Sequence, residues 1–236
     1  MKGDDAASRP AAPQGERELA EWNDRMYAEH ATPYTGGIAG RIQRARVETL
    51  LRLGAIGADD AVLELGCEAG RLLVEVPPCR RLVGADISGR ALADAAALFL
   101  ERGRDVDLRQ LDAQHALPFE RGEFDVVICS DMLEHVPQPR LVLENLHAIA
   151  DRSTRVLLTV PIEGPKLVLK RMLGGLGLMN VLFPGIEEGQ SHWHLHAFSR
   201  AMLHELSHDL FELERGKNVW GCHYAGRFTA RDRSSA

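Results

Sequence analysis

The 236-residue sequence predicts a doubly wound α/β fold, a mostly parallel sheet covered by helices on both faces with an antiparallel edge at its C-terminal end. Three observations carry this. Between Ala61 and Val160, short apolar runs alternate with stretches of helical period, the pattern of a parallel sheet buried on both sides. The run "VLELGCEAGRLL", Val62 to Leu73, reads as a buried strand entering a glycine turn and then a helix. Two strand-like runs, "LFELER" and "NVWGCHYAGRFTAR", close the chain and form the antiparallel edge.

Taken in order, residues 1–15 read as a disordered tail, because "MKGDDAASRPAAPQGERE" has acidic residues and prolines where a secretory signal needs an apolar run. Helices are expected over Glu16 to Glu29 and Arg41 to Leu53; in the second, Val47, Leu50 and Leu51 share a face, and Gly54 and Gly57 end it. Strands follow at Ala61 to Leu65, Arg81 to Ala85, Val106 to Leu111, Phe124 to Cys129 and Arg155 to Val160. Ser88 caps a helix whose buried face holds Leu92, Ala96 and Phe99, and Val142, Leu146 and Ile149 line a later one. Past Pro161 the rhythm breaks until a helix near Ser199 to Ser207, and a short turn at Gly216 to Asn218 joins the closing strands. The chain is thus expected to hold one domain over 16–236: N-terminal helices (16–57), a binding core (58–160), an insertion (161–198), and a closing helix with strands (199–236).

Composition narrows the partners. With 45% hydrophobic and 26% charged residues and a formal charge of −6, the chain gives no support to a nucleic-acid partner, which basic clusters would announce, and favours a small molecule. Cys67, Cys79, Cys129 and Cys222 include no CxxC pair, so neither a zinc site nor a disulfide framework is expected, and reduced thiols fit a cytoplasmic location. Lys170, Arg171 and three glycines interrupt the one apolar run that approaches membrane-spanning length.

Ligands of open α/β sheets sit at the carboxyl ends of the strands. Gly66 and Gly70 occupy the exit of the first strand, where glycine lets the backbone turn with positive φ and approach a ligand, and the following helix is expected to offer its N-terminal amides. Asp86 lies 20 residues beyond Gly66 at the end of the second strand, placed to accept hydrogen bonds from both hydroxyls of a ribose. Asp112 ends the third strand, where it either meets an adenine amino group or closes an Asx-turn.

These residues resemble the class I S-adenosylmethionine-dependent methyltransferases. "VLELGCEAG" is similar to that family's first motif, "LVGADIS" to its acidic second-strand end, "LDAQHALPF" to its third-strand end and "FDVVICSDMLEHV" to its fourth-strand motif, all in the family's order and spacing. The resemblance runs from about Arg41 to the C-terminus and implies a Rossmann-like, seven-stranded sheet with a reversed last strand. A dinucleotide oxidoreductase would share the turn and the acid, but its GxGxxG is absent, since the chain reads Gly-Cys-Glu-Ala-Gly from Gly66. Glu68 is the departure: the family commonly carries glycine there, beside the methionine part of the cofactor, so its side chain either obstructs the cofactor or pairs with its ammonium while Cys67 faces the carboxylate.

Within the family the likeness is to ubiquinone-type O-methyltransferases and their small-molecule relatives. It implies that Arg46, 20 residues before Gly66, contacts the cofactor's carboxylate, that Ser130 lies against the cofactor, and that "NVWGCHY" is the final strand. Glu64, Ile87 and Ala113 join Gly66, Cys67, Glu68, Gly70, Asp86 and Asp112 in the cofactor bed the resemblance implies. Asp131, Glu134 and His135 resemble a cluster proposed to hold a divalent ion in some of these enzymes, but adjacent residues on a helix diverge, and no metal is assigned.

Methyl transfer to a hydroxyl needs alignment and a base of near-neutral pKa. His135 and His192 are the candidate bases. His192, His194 and His196 alternate and would share one side of an extended segment; Trp193 and Tyr224 complete the acceptor-side candidates. Lys166 to Phe183, with eleven apolar and three basic side chains, is a candidate lid, peripheral membrane contact or ordinary packed helix. The expected activity is methylation of a small molecule at oxygen, with N- or C-methylation and a nonenzymatic scaffold that has lost the cofactor as alternatives.

Overall fold

Two strands made almost wholly of apolar residues form the middle of the sheet. β1 (Ala61–Leu65) and β4 (Val126–Ser130) are buried at every position and pair in parallel from Val62↔Val126 to Leu65↔Cys129, as strands covered on both faces must be. β2 (Arg81–Asp86) and β3 (Asp107–Gln110) continue the parallel sheet on one side, and β5 (Arg155–Pro161) continues it on the other. β7 (His223–Ala230) runs antiparallel to β5, and β6 (Phe211–Val219) pairs antiparallel with β7 at the edge. The computed structural model describes residues 16–30, 37–162 and 195–232. Within them the seven strands lie in the order β3-β2-β1-β4-β5-β7-β6, which is the doubly wound sheet with a reversed C-terminal edge that the sequence predicts.

Helices cover both faces because the strands alternate their side chains between two apolar layers. On one face α2 (Gly37–Gly54) and α3 (Gly89–Glu101) pack through Leu50, Leu92 and Phe99 against Val62, Ile128 and Leu157. On the other, α4 (Pro139–Ile149) and α5 (Arg200–Ser207) bring Val142, Leu146, Ile149 and Leu203 onto Leu63, Val127 and Leu158. Each such buried side chain contributes about 1.5–3 kcal/mol. Ser88 does cap α3, accepting from the Ala91 amide at 3.0 Å. The buried face of α3 uses Ala95 rather than the expected Ala96, which is exposed, because Ala91 is buried with Leu92 and Phe99 and shifts the centre of that face toward Ala95. α1 (Glu16–His30) lies against α3, with the Tyr27 hydroxyl donating to Asp94 at 2.6 Å.

Two expectations are corrected. The glycine turn leads not into an α-helix but into a single 3-10 turn, Leu73–Glu75. Pro77 follows Val76 and disfavours helical backbone there, and Val76 is extended at φ −60° and ψ 131°. The expected array of helix N-terminal amides therefore does not form at this exit. The closing hairpin does not turn at Gly216 to Asn218, which lie inside β6. Its turn is Trp220–Gly221, both at positive φ (51° and 66°), with the Cys222 amide donating to the Val219 carbonyl at 2.9 Å, the turn whose twist matches two paired strands. Gly216 is glycine for another reason: the Tyr224 hydroxyl stands where its Cβ would be.

Candidate cofactor and acceptor site

The carboxyl ends of β1, β2, β3 and β4 stand side by side, and the residues singled out by their spacing line that rim. Gly66 leaves β1 at φ +72°, and a Cβ on it would meet Met132 Sδ at 2.6 Å, so the turn closes under the β4 exit only without a side chain. Gly70, at φ +70°, lies against Phe99 and Ala95. Glu68, between them, holds φ +48°, a left-handed conformation costing a non-glycine residue roughly 1–2 kcal/mol. Its amide donates to Asp86 Oδ2 at 2.8 Å, which binds the turn to the end of β2.

Asp86 accepts further backbone bonds, from Ser88 at 2.9 Å on Oδ1 and from Ile87, which leaves its carboxylate with remaining acceptor capacity. Asp112 is buried and closes an Asx-turn through the Gln114 amide at 2.9 Å. Ile87 and Ala113, one residue beyond each aspartate, accept side-chain bonds through their carbonyls, from Gln110 at 2.9 Å and Asn145 at 3.0 Å. Cys67 does not face the rim as expected: its amide and that of Gly66 both donate to the Ala85 carbonyl, and its thiol, which burial pushes upward in pKa, packs in the core.

Among the buried polar atoms without a hydrogen-bond partner in the described residues are two of opposite kind, on Glu64 and Arg46. Glu64, inside β1, is 3% exposed; the Leu73 amide donates to its carboxylate, while Oε2 is unmatched. Arg46 reaches from α2 to the β4 exit, where Nη1 donates to Ser130 Oγ and to Asp131 Oδ2, both at 2.7 Å, and Nε is unmatched. An unmatched buried acceptor and donor each cost on the order of 1–3 kcal/mol. A ligand with an ammonium and a carboxylate removes both penalties, and the aminoacyl end of S-adenosylmethionine has that pair.

Beyond Ser130 the site holds a network that the sequence reading missed. Asp131 sits at φ +49° and receives Arg46, the Thr159 hydroxyl at 2.8 Å and His223 Nε2 at 3.2 Å, which together hold its carboxyl far below the usual range despite burial. His223 Nδ1 is buried and unmatched among the described residues. The signal was present, a histidine at the head of the last strand, but its register opposite Pro161, at the rim of β5, is a tertiary fact. Since Asp131 already faces these partners, the Asp131, Glu134 and His135 cluster does not converge on an ion; among the described residues, no three His, Cys, Asp or Glu do. His135 follows β4 with Nε2 at 3.8 Å from Glu134 Oε1. His196 is turned onto the Val136 carbonyl at 3.0 Å, and Tyr224 lies on the opposite face from His223, its ring under Arg200. His192, Trp193, His194 and the stretch 166–183 lie outside the described residues.

Residues 62–152 match the family model described as a methyltransferase domain. The ubiquinone biosynthesis O-methyltransferase of Pseudomonas aeruginosa is 34% identical over 133 residues, which is 56% of this chain and 57% of that relative. The N-methyltransferase NodS from Bradyrhizobium japonicum, solved with S-adenosylhomocysteine, shares the fold with a TM-score of 0.64 at 17% identity over 90% of this chain and 98% of that one. The [4+2]-cyclase SpnF does so with a TM-score of 0.70 at 12% identity over 94% and 98%.

The likeness to a methyltransferase domain is thus carried by residues 62–152, on a fold that the solved neighbours share. Its sequence is similar to the ubiquinone biosynthesis O-methyltransferases, and the match spans 57% of the length of the Pseudomonas aeruginosa relative.

Proposed function

We propose that the protein transfers a methyl group from S-adenosylmethionine to an oxygen of a small-molecule acceptor. The observation that carries the cofactor half is the pair of unmatched buried atoms, Arg46 Nε and Glu64 Oε2, beside two aspartates at successive strand tips. Bound there, the cofactor supplies a methyl group on a sulfonium and leaves as the neutral thioether. Arg46 receives its carboxylate and Glu64 its ammonium; Asp86 holds the ribose hydroxyls, and Asp112, with Ile87 and Ala113 beside the two aspartates, holds the adenine. Gly66 and Gly70 keep the turn open to it, and Ser130 fixes Arg46.

On the acceptor side His135, on the loop after β4, takes the hydroxyl proton, with His192 as the other candidate base. The likeness to an O-methyltransferase supports oxygen as the acceptor atom. A single domain over 16–236, with 161–198 above the acceptor, and a cytoplasmic location belong to the same proposal, the latter supported by four free cysteines. No described helix is long and apolar enough to cross a membrane.

Glu68 favours one competing reading, a scaffold that no longer holds the cofactor, since its side chain stands in the turn. Calorimetric titration of the purified chain with S-adenosylmethionine separates the two: binding supports the enzyme, and an absence of heat at millimolar ligand overturns it. Screening candidate alcohols, phenols and amines for S-adenosylhomocysteine release then identifies the acceptor atom.

A further inference from the structure

We infer that Glu68 makes the recess at the β1 exit selective for a positively charged ligand, so that the protein holds S-adenosylmethionine in preference to S-adenosylhomocysteine. This rests on the cofactor reading above and concerns what one residue of this chain adds to it.

Three acidic residues, Glu64, Glu68 and Asp86, border the exit. The Glu68 amide binds Asp86 Oδ2 at 2.8 Å, and the Glu64 carboxylate lies close enough to be repelled by both Glu68 and Asp86. Burial, the largest cause, raises the pKa of all three; Asp86 adds repulsion at Glu64 and Glu68, and the arginines nearby offset only part of the rise. Two guanidinium groups, Arg71 and Arg46, oppose the rise at Glu68 without cancelling it, and each is engaged or solvated elsewhere. Arg46 is paired with Asp131 at 2.7 Å, Arg71 is exposed, and Tyr27 from α1 is a neutral phenol whose pKa burial pushes up. Asp24, also on α1, adds a further negative charge beside Asp86.

Glu64 Oε2 is a second, independent sign of a ligand, being buried and without a partner among the described residues. The balancing charge is not a metal ion held by a cluster of these side chains, since among the described residues no three metal-ligating groups meet. An extended organic cation fits better. S-adenosylmethionine carries a carboxylate, an ammonium and a sulfonium, a net charge of one positive; its demethylated product has lost the sulfonium and is neutral. A carboxylate in the turn attracts the first more than the second, which favours loading of the methyl donor and release of the spent nucleoside. Glycine would fit the left-handed backbone at position 68 without strain, so the side chain is held there against a conformational preference.

Calorimetric titration of the wild-type chain, Glu68→Gln and Glu68→Gly with each nucleoside tests this. Glu68→Gln keeps the size and removes the charge, and is expected to weaken S-adenosylmethionine on the order of tenfold while leaving S-adenosylhomocysteine within about twofold. Glu68→Gly is expected to lose the same preference, because it lacks the same charge. Repeating the titration in buffers of different ionisation heat, just above the ordinary glutamate pKa of about 4.3, should show the wild type releasing more protons on binding the sulfonium compound than on binding the product, with that excess reduced in Glu68→Gln. Equal changes for both nucleosides, or tighter binding of both by Glu68→Gly, would show Glu68 to be an obstruction and overturn the inference alone. A wild-type chain that binds neither nucleoside overturns the cofactor reading as well.

Discussion

His223 Nε2 stands 3.2 Å from Asp131 Oδ2 and ties the head of the antiparallel last strand to the exit of β4. The same aspartate receives Arg46 from α2 at 2.7 Å, so one carboxylate joins three elements that are remote in sequence. Its carboxyl is held well below the usual range, chiefly by the Arg46 charge and next by His223, against the opposing effect of burial. A group depressed in the folded state contributes stability that is present above its unfolded pKa, about 3.9, and lost as pH falls toward the folded value.

Asp131→Asn is therefore expected to lower stability by roughly 3 kcal/mol at pH 7. The gap from wild type should narrow as the pH drops below 4. Urea midpoints at pH 7, 5 and 3.5 measure this; a gap that stays constant with pH would mean that the Asp131 charge is not what the network holds.

Glu64 behaves oppositely. Burial holds its carboxyl well above the usual range, Arg46 only partly offsetting this, so ionising it destabilises the fold increasingly as pH rises above the unfolded value. Glu64→Gln should raise the melting temperature of the ligand-free chain at pH 8 by a few degrees, about 2–4 °C per kcal/mol for a chain of this size, and weaken S-adenosylmethionine binding. Scanning calorimetry and titration on the same preparation read both. A variant with unchanged affinity would remove Glu64 from the ammonium site.

Arg46 is expected to be irreplaceable by lysine. Its Nη1 already serves Ser130 and Asp131, and only a guanidinium has a further Nε–H to offer a carboxylate. Arg46→Ala and Arg46→Lys should each weaken S-adenosylhomocysteine on the order of ten- to a hundredfold, the size of a lost hydrogen bond to a charged group. Full retention by the lysine variant would place the carboxylate elsewhere.

Gly66→Ala meets two separate obstacles, the Met132 side chain 2.6 Å from the new Cβ and a backbone at φ +72°. It is expected to lower stability by about 2 kcal/mol or more. Adding Met132→Ala should recover only the steric share, leaving about 1 kcal/mol of backbone strain. Complete recovery in the double variant, by denaturant unfolding, would show that the turn itself tolerates a side chain.

The five parallel strands were legible because each is a short apolar run bounded by turns, and their observed ends fall within two residues of those expected. Gly66, Asp86 and Asp112 were legible as strand-end residues for the same reason. The 3-10 turn after β1 was not: the apolar run Leu72 to Val74 suits a helix, and the break comes from the following Pro77 acting backward on Val76. The hairpin turn was displaced because Gly216 resembles a turn residue locally, whereas a Tyr224 side chain crossing from β7 is what excludes a Cβ there.

The sequence by itself determined the layered α/β plan, the glycine turn and the acidic strand ends, since periodicity and backbone preference act over a few neighbouring residues. Only the tertiary structure decided which polar groups meet at the rim: Arg46 with Ser130 and Asp131 across 84 and 85 positions, and His223 with the same aspartate. Charge pairing at 3 Å depends on how strands are ordered and how far α2 reaches over them, and no local pattern encodes either. It also left Glu64 and Arg46 each with an unmatched atom, and that pair points to the ligand.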